Sequence, residues 1–545
     1  MMRRSDALAA AAEHFDLCVI GGGATGAGCA LDAQLRGLRT VLVEANDFAS
    51  ATSSASTKLI HGGIRYLREA VAHFDFGQIG VVKRALYERG YMLRNAPFLA
   101  GTMEFLIPCY SHWQKMYFGA GVKAYDVLAG NANLLPSRSL SRGQVLSRLP
   151  VLTSEGLVGA VSYGDGQFDD AAFNLALVRT FIAIGGIALN YARVVGFEKN
   201  AAGKLQAALL RDEISGRSFE SQARAFVNAT GPAGDAVRRL VEPNAMPLLK
   251  LSRGAHILFP LQGFEARDAL LIPKTSDGRV IFAIPWMGRL LVGTTDEPLT
   301  EAGEVFVSRE DVEYLLRHVN GFLQRPLACK QIVAAFAGIR PLIGDASRET
   351  KSLSRDHRVE VDENSGLISI LGGKWTTYRA MSEDTINAVQ RRLQQPITAC
   401  PTRTYPLDGS ANYSATFFET LVQKYGVTTE TARHMSAKYG TNATAMLELA
   451  ASNREFVKPI VEGFPAIEAE IVHAIRHDMA MTIEDILARR IGLQFYSWDM
   501  AAKAAPFAAH YLADELSWTD DQRELAIAEY LDKLQRMRAT AGLGN

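Results

Sequence analysis

The apolar and polar residues near the start of the chain predict a strand, a helix and a second strand. Phe15–Ile20 is a short, mostly apolar run of strand length, and Ala27–Arg36 contains good helix formers. Arg39–Glu44 is a second strand-like run that ends in an acid. A glycine-rich stretch, Gly21–Gly26, joins the first run to the helix. This order predicts a βαβ unit with a tight turn after its first strand.

Further along the chain, short strand-like runs are separated by turn signals. Val280–Phe282, Leu290–Val292 and Val359–Val361 are the clearest runs, and the turns are of the types Ser-Asp-Gly and Glu-Asn-Ser-Gly. Alternating strands and helices up to about Tyr378 predict a doubly wound domain, and these runs predict an antiparallel sheet inserted into it.

The pattern changes after Cys400–Ser410, a segment rich in proline that ends near a glycine. Beyond it, Ile467, Ile471, Ala474 and Ile475 recur on one helix face. Thr482 and Asp485 have the spacing of a capping box at a helix start.

We therefore predict an α/β protein with two parts. Residues 1–399 contain a Rossmann-like, doubly wound domain with an inserted antiparallel-sheet substrate domain. Residues 400–545 form an all-α C-terminal domain.

Composition narrows the class of protein. The 545 residues are 48% hydrophobic and 21% charged, which is typical of a folded soluble protein. Lys+Arg and Asp+Glu balance at 58 each, which argues against a nucleic-acid binder. The five cysteines are scattered without a CxxC pair, so we expect reduced thiols. No histidines have ligand spacing, and we expect no metal. We also expect neither a signal peptide nor a membrane-spanning helix.

The glycine turn fits the dinucleotide fingerprint GxGxxG. Gly21 allows the tight turn, Gly23 lets the main chain approach a pyrophosphate, and Gly26 lets the helix pack on the strand. Ala24 and Thr25 complete the turn, and Glu44 is placed to accept a hydrogen bond from a ribose hydroxyl. This fingerprint predicts a bound dinucleotide but does not separate NAD from FAD.

The next segment distinguishes the two cofactors. Ser and Thr occupy six of the eight positions from Ser50 to Thr57, where their hydroxyls could serve a diphosphate. The longer string ATSSASTKLIHGGIRYL, residues 51–67, closely resembles a segment of the FAD-dependent glycerol-3-phosphate dehydrogenase family.

The resemblance extends over most of the chain, with motifs in the family's order. These motifs are YGDGQFDDAAFNLAL (163–177), ALNYARVVGF (188–197), VNATGPAGD (227–235), RGAHI (253–257), GTTDEP (293–298), AGIRPL (337–342), LSRDH (353–357) and GGKWTTYR (372–379). Two departures concern packing near the cofactor. Ala233 and Gly234 replace a tryptophan-containing turn, and Trp375 stands where many members have Leu.

The resemblance implies a non-covalent FAD and a set of residues around it. The implied cofactor-binding residues are Gly21, Gly23, Ala24, Thr25, Gly26, Glu44, Ser53, Ser54, Thr57, Lys58, Leu59, His61, Val194, Gly231, Gly373, Lys374 and Thr376.

Oxidation of a phosphorylated alcohol also needs fixed cations for the phosphate and a group that takes the hydroxyl proton. The matched motifs supply Arg65, Arg253, Arg340, Arg355 and Lys374 as the cations. His256 is the candidate for the substrate hydroxyl and His61 for the flavin edge, with Arg340 as a rival base. Tyr66 either donates to phosphate or packs.

The implied reaction is oxidation of sn-glycerol 3-phosphate to dihydroxyacetone phosphate, with electrons passed to membrane quinone. Three alternatives remain open. The substrate could be another polyol phosphate such as erythritol phosphate, and the acceptor could be oxygen, as in an oxidase of the same family. A flavin-binding module without turnover is the third, although such a module does not need phosphate-facing cations.

A membrane location is indicated by one segment and by the family resemblance. The segment Ser111–Gly130 mixes Trp113, Tyr117, Phe118 and Tyr125 with two lysines, which suits either an interfacial anchor or a helix packed on the substrate domain. The family resemblance favours peripheral contact with the inner face of the cytoplasmic membrane, and it leaves a homodimer open.

Overall fold

The computed structural model describes residues 3–63, 76–261, 268–273, 275–344 and 356–544. Within them the chain forms strands that make up two sheets. The strands are β1 His14–Ile20, β2 Thr40–Val43, β3 Leu59–Ile60, β4 Ala100–Cys109, β5 Arg138–Ser141, β6 Gly159–Phe168, β7 Ile187–Leu189, β8 Ala192–Lys199, β9 Leu205–Asp212, β10 Ser218–Asn228, β11 Leu249–Pro260, β12 Ala269–Ile272, β13 Ile281–Trp286, β14 Arg289–Gly293, β15 Glu297–Leu299, β16 Ala334–Ile343, β17 His357–Val361 and β18 Leu367–Gly372.

Helices lie between these strands and make up nearly all of the chain after residue 400. The α-helices are α1 Arg4–Ala10, α2 Ala24–Leu35, α3 Phe76–Asn95, α4 His112–Ala129, α5 Arg142–Arg148, α6 Asp170–Ala183, α7 Gly234–Val241, α8 Arg309–Asn320, α9 Tyr378–Arg392, α10 Phe417–Tyr425, α11 Thr429–Tyr439, α12 Ala443–Ser452, α13 Glu468–Asp478, α14 Leu493–Tyr496, α15 Trp498–Leu516 and α16 Asp520–Thr540. A π-helix spans Asp485–Arg490, and 3₁₀ turns span Thr52–Ser54, Gly130–Ala132, Gly231–Ala233, Cys329–Gln331, Trp375–Thr377, Pro401–Arg403, Gly440–Asn442 and Arg454–Val457.

The first sheet has eight strands around a parallel centre. Its main order is β17-β18-β10-β1-β2-β7, and β18, β10, β1, β2 and β7 run parallel. Helix α2 packs against both α6 and α9. Strand β2 is buried along its whole length and β1 over most of its length, as expected for a parallel sheet between helix layers. The predicted βαβ unit is confirmed, with its elements within three residues of the predicted bounds.

The second sheet has ten strands and is almost entirely antiparallel. Its main order is β15-β11-β14-β13-β12-β4-β6-β3, with β16 beside β11 and β5 beside β6. Val280–Phe282 and Leu290–Val292 correspond to β13 and β14. The run Val359–Val361 is a strand too, but it pairs antiparallel with β18 at the edge of the first sheet.

The C-terminal part is helical, as predicted. Beyond residue 400 the described residues contain helices and one isolated bridge, between Pro459 and Ile467. The predicted apolar face is buried along α13. Thr482 and Asp485 form the predicted reciprocal hydrogen bonds, 3.1 Å each, at the start of the π-helix.

The five cysteines are free thiols. In the described ranges no group of three or more metal-ligating side chains comes together, and no helix combines the length and apolarity needed to cross a membrane.

Candidate active site

A cavity of 1570 Å³ opens at the carboxyl ends of β1, β2 and β10 and extends to the second sheet and the helical domain. Ligands of doubly wound sheets bind at this edge, where the chain order reverses on either side of the first strand. The cavity exceeds the usual volume of a small-molecule pocket, which is about 300–1,000 Å³. It therefore has room for a dinucleotide and a substrate together.

The glycine turn is built for close main-chain packing. Gly21 has a φ of 108°, and a Cβ there would lie 2.6 Å from the carbonyl oxygen of Ala229. A Cβ at Gly26 would overlap the carbonyl oxygen of Gly21, so this glycine allows α2 to pack against the turn. Both observations agree with the roles that the fingerprint assigns to these two positions.

The Ser/Thr-rich segment is a folded wall of the cavity. The main-chain N–H of Ala24 donates to Ser53 Oγ at 2.9 Å, and the indole of Trp375 donates to the Ser53 carbonyl oxygen at 2.9 Å. Thr52 Oγ1 donates to the carbonyl oxygen of Ile339 at 2.6 Å. The segment thus joins the glycine turn to the second sheet.

Glu44 lies at the end of β2 and lines the cavity. Its carboxylate accepts hydrogen bonds from the main-chain N–H groups of Gly22, at 2.6 Å, and Asn46, at 2.9 Å. Burial raises the pKa of this carboxyl despite both bonds. A half-buried acid at this place suits the ribose contact, and that contact stays a prediction.

His256 and Arg340 lie on the neighbouring strands β11 and β16, and both line the cavity. His256 is 1% exposed, and its ring stacks on Phe336 with centroids 4.8 Å apart. Its Nε2 lies 3.0 Å from Thr57 Oγ1. Burial, with the charges of Arg340 and Lys58, holds the pKa of His256 well below 6.5. The imidazole is therefore neutral at physiological pH.

The Arg340 guanidinium is held in place by three acceptors. It donates to Thr294 Oγ1 at 2.7 Å, to the Thr295 carbonyl oxygen at 3.1 Å and to Asp296 Oδ1 at 3.2 Å. A Cβ at Gly254 would overlap this guanidinium, which explains the glycine in RGAHI.

The third side of the cavity comes from the segment GGKWTTYR. Thr376 Oγ1 accepts a hydrogen bond from the main-chain N–H of His61 at 3.2 Å. Gly373 has a φ of 87°, and a Cβ there would overlap Met381. Lys374 and His61 both line the cavity.

Most of the predicted cofactor residues are brought together at this cavity. Those that line it are Gly21, Gly23, Ala24, Thr25, Glu44, Ser53, Ser54, Thr57, Leu59, His61, Val194, Gly231, Gly373, Lys374 and Thr376. The predictions at Arg65, Tyr66 and Arg355 lie outside the described residues.

Two predicted cations point elsewhere. Lys58 Nζ forms a buried ion pair with Asp170 at 2.6 Å and donates to the Ser54 carbonyl oxygen at 2.7 Å. Arg253 pairs with Asp311 at 2.7 Å. Neither side chain is among the residues that line the cavity, and their roles at the cofactor and the phosphate stay predictions. In both cases a carboxylate distant in sequence takes the cation.

Comparison with known proteins agrees with this geometry. Residues 16–379 match the family described as FAD dependent oxidoreductase, and residues 400–523 match the C-terminal domain of alpha-glycerophosphate oxidase. The mitochondrial glycerol-3-phosphate dehydrogenase of Homo sapiens is 41% identical over 525 residues, covering 94% of this chain and 72% of that protein. The mitochondrial glycerol-3-phosphate dehydrogenase of Arabidopsis thaliana is 36% identical over 553 residues, covering 98% of this chain and 88% of that protein.

The chain belongs to the FAD-dependent glycerol-3-phosphate dehydrogenase family.

A solved structure extends the likeness to the whole chain. The glycerol-3-phosphate dehydrogenase from Bacillus halodurans, complexed with FAD, superposes with a TM-score of 0.80 at 29% identity, covering 99% of this chain and 98% of that one. The L-alpha-glycerophosphate oxidase of Mycoplasma pneumoniae shares the fold, with a TM-score of 0.56 at 19% identity.

The residues of this chain fit FAD, the cofactor of the family. Gly21, Gly23 and Ala24 present main chain rather than long side chains to the cavity, and a Cβ at Gly23 would approach Ser53 Oγ to 2.9 Å. The start of α2 lines the same space, and Gly23 at its N-cap places no side chain there. Val194 and Gly231 line the cavity on the side of β8 and β10.

The helical domain also contributes to the cavity, which the sequence did not indicate. Arg489 in the π-helix pairs with Asp485 and with Asp47, at 2.5 Å each, and all three line the cavity. Arg490 pairs with the same Asp47. The two adjacent arginines after an apolar helical run were the available signal, but their partner lies more than 440 positions earlier in the chain.

Proposed function

We propose that the protein oxidises sn-glycerol 3-phosphate to dihydroxyacetone phosphate and passes the electrons to membrane quinone. The observation that carries the proposal is that a neutral, buried His256 and a fixed cation, Arg340, lie on neighbouring strands and both line the cavity. The membership of the chain in the glycerol-3-phosphate dehydrogenase family supports the substrate.

Bound FAD supplies the hydride acceptor. The chain has two further tasks, which are to remove the hydroxyl proton and to hold the phosphate. A neutral imidazole can accept a proton, and Thr57 Oγ1 lies 3.0 Å from His256 Nε2. We therefore assign proton removal to His256, either directly or through the Thr57 hydroxyl, which also lines the cavity.

Arg340 suits the anionic end of the substrate or the developing negative charge on its oxygen. Its guanidinium is planar, permanently charged and already oriented by Thr294, Thr295 and Asp296. Lys374 is the second described cation of the predicted set on the cavity wall. Together they favour a phosphorylated alcohol over an uncharged one.

The surface of α4 supports a peripheral membrane location. Trp113 and Met116 are 63% and 67% exposed, and Tyr117 is 41% exposed and stacks on Trp113. Aromatic and apolar side chains at this spacing form one exposed face of the helix, and Lys123 is exposed further along it. Such a face suits the headgroup region of a bilayer.

The decisive experiment is anaerobic mixing of the purified holoenzyme with a panel of polyol phosphates while flavin absorbance is followed. We expect glycerol 3-phosphate to bleach the flavin faster than erythritol phosphate or unphosphorylated glycerol. Reoxidation is then compared with a soluble quinone analogue and with air.

An oxidase is the second candidate, because residues 400–523 match a domain named for alpha-glycerophosphate oxidase. Rapid, stoichiometric peroxide formation without a quinone effect would select that reaction. No bleaching by any polyol phosphate would refute both.

A further inference from the structure

A buried polar cluster lies directly behind the segment that carries His61. It consists of Arg89 on α3, Tyr125 on α4 and Asp165 on β6, and each of them is at most 1% exposed. The Arg89 guanidinium donates to Asp165 Oδ1 at 2.7 Å, and Tyr125 Oη donates to Asp165 Oδ2 at 2.9 Å. Three elements distant in sequence are thereby fixed around one carboxylate.

Arg89 is itself held by main-chain groups. It donates to the carbonyl oxygens of Gly164, at 3.2 Å, and Ala132, at 2.8 Å. Because this arginine is fully buried and multiply bonded, the Asp165 carboxylate has a defined position. The Tyr125 hydroxyl is therefore oriented rather than free to rotate.

The cluster ends on the main chain of Gly62. The Gly62 N–H donates to Tyr125 Oη at 2.8 Å, so this hydroxyl accepts one hydrogen bond and donates another. Burial and the neighbouring carboxylate hold the pKa of Tyr125 well above 10, so it keeps its proton. A Cβ at Gly62 would lie 2.7 Å from this oxygen and 2.8 Å from Leu86 Cδ2, so the close approach depends on glycine.

The preceding residue is held from another direction. The His61 N–H donates to Thr376 Oγ1, and the His61 side chain lines the cavity. Two successive peptide N–H groups are thus bonded to side chains from different parts of the fold. Neither Tyr125 nor Asp165 is among the residues that line the cavity, so we expect neither to contact the substrate.

We propose that Tyr125 is a positioning residue for the reaction: its hydroxyl, oriented by the Asp165–Arg89 ion pair, fixes the main chain at Gly62 and with it the position of His61 at the cavity. This assignment rests on the proposed function for its link to turnover. Loss of the hydroxyl leaves a buried N–H without its acceptor, and the main chain must move to find another. Small displacements of an active-site group reduce rates strongly.

The test is Tyr125→Phe in the FAD-loaded protein, because it removes one oxygen and keeps the ring. We expect kcat/KM per bound FAD, with glycerol 3-phosphate, to fall about tenfold or more while FAD content is unchanged. We also expect amide exchange in the peptide containing Gly62 to accelerate at least about tenfold. Tyr110→Phe is the matched control, since the Tyr110 hydroxyl is buried without a hydrogen-bond partner among the described residues. It should leave both quantities within about twofold.

The two measurements separate this proposal from the proposed function. If the parent protein shows no reduction by glycerol 3-phosphate, the proposed function fails, and amide exchange still decides whether Tyr125 holds Gly62. If Tyr125→Phe keeps kcat/KM and exchange within about twofold of the parent, the positioning role is overturned. A lower melting temperature of Tyr125→Phe, with kcat/KM and amide exchange unchanged, would also overturn the positioning role.

A second variant tests the same contact from the main-chain side. Gly62→Ala separates the same two groups from the other side. If the contact matters, the double variant with Tyr125→Phe loses little more kcat/KM than the worse single variant. Multiplied losses would show that the two positions act independently and would overturn the proposal.

Discussion

The substitution Arg340→Met tests the core of the proposed site. It removes the charge and keeps an apolar stem of similar length. The guanidinium is oriented by Thr294, Thr295 and Asp296 and is about one-fifth exposed, so its interaction with an anion is only partly screened. Loss of a charge-assisted contact costs about 1.5–3 kcal/mol, which is roughly a ten- to hundredfold fall in kcat/KM. FAD content should not change.

The same substitution should alter the pH profile. Burial is the main cause of the low pKa of His256, and Arg340 is the next. Removing Arg340 therefore raises the pKa of His256 part of the way towards 6.5. Because His256 must be neutral to accept a proton, the acid limb of kcat/KM should move to higher pH.

The assay is steady-state kcat/KM per bound FAD from pH 5 to 9, with FAD content measured after acid release. Arg253→Met is the comparison, because Arg253 follows the β11 residue that pairs with Arg340 but forms an ion pair with Asp311 and is not among the residues that line the cavity. It should destabilise the protein by ~1–3 kcal/mol and leave kcat/KM within about threefold. Equal effects of both variants, or an Arg340 variant with normal kcat/KM and an unmoved acid limb, would refute the reasoning.

Three further predictions concern cofactor, stability and membrane. Acid precipitation should leave a yellow supernatant, because we expect FAD to be non-covalent, and a yellow acid pellet would contradict this. Gly26→Ala should yield colourless or insoluble protein, since the added Cβ overlaps Gly21, and a normal FAD content would contradict this. The carboxylates of Asp356 and Asp384 outweigh burial and raise the pKa of His357 to about 9, so the stabilisation from these contacts is complete below about pH 6.5 and is lost as pH rises through about 9. The free energy of unfolding in urea should fall by ~1–2 kcal/mol over this pH range in the parent and not in His357→Gln. The same pH dependence in both proteins would contradict the prediction. Trp113→Ser with Tyr117→Ser should reduce sedimentation with anionic liposomes several-fold at unchanged flavin reduction, and undiminished binding would exclude this face.

Local patterns predicted the elements whose form depends on near neighbours. The glycine turn and the capping box at Thr482 and Asp485 are made by residues within a few positions of one another. The spacing of these residues in the sequence was therefore sufficient to predict both. The same holds for the buried stripe of α13. The strand Val359–Val361 was recognised as a strand, but its sheet was not, because pairing with β18 is a tertiary choice.

The destinations of charged side chains were less predictable. Lys58 and Arg253 stand in motifs that also hold cavity residues, yet each is taken by a carboxylate, Asp170 or Asp311, far along the chain. A buried cation pairs with an anion that the tertiary structure brings close to it, and a single sequence does not give the distance between the two charged groups. The contribution of Arg489 to the cavity escaped prediction for the same reason.

Helix α4 connects the exposed aromatic face of the proposed membrane contact with the main chain at Gly62, and this connection has a thermodynamic consequence. Trp113 and Tyr117 lie near its start on the exposed side, and Tyr125 holds Gly62 eight residues after Tyr117, about 12 Å along the axis. A helix is stiff along its axis, so a shift of its exposed start would also move Tyr125 and the main chain next to His61. If docking on lipid shifts α4, reciprocity requires that substrate in the cavity change the affinity for lipid by the same factor. Attachment to a bilayer and occupancy of the site would then be two readings of one equilibrium.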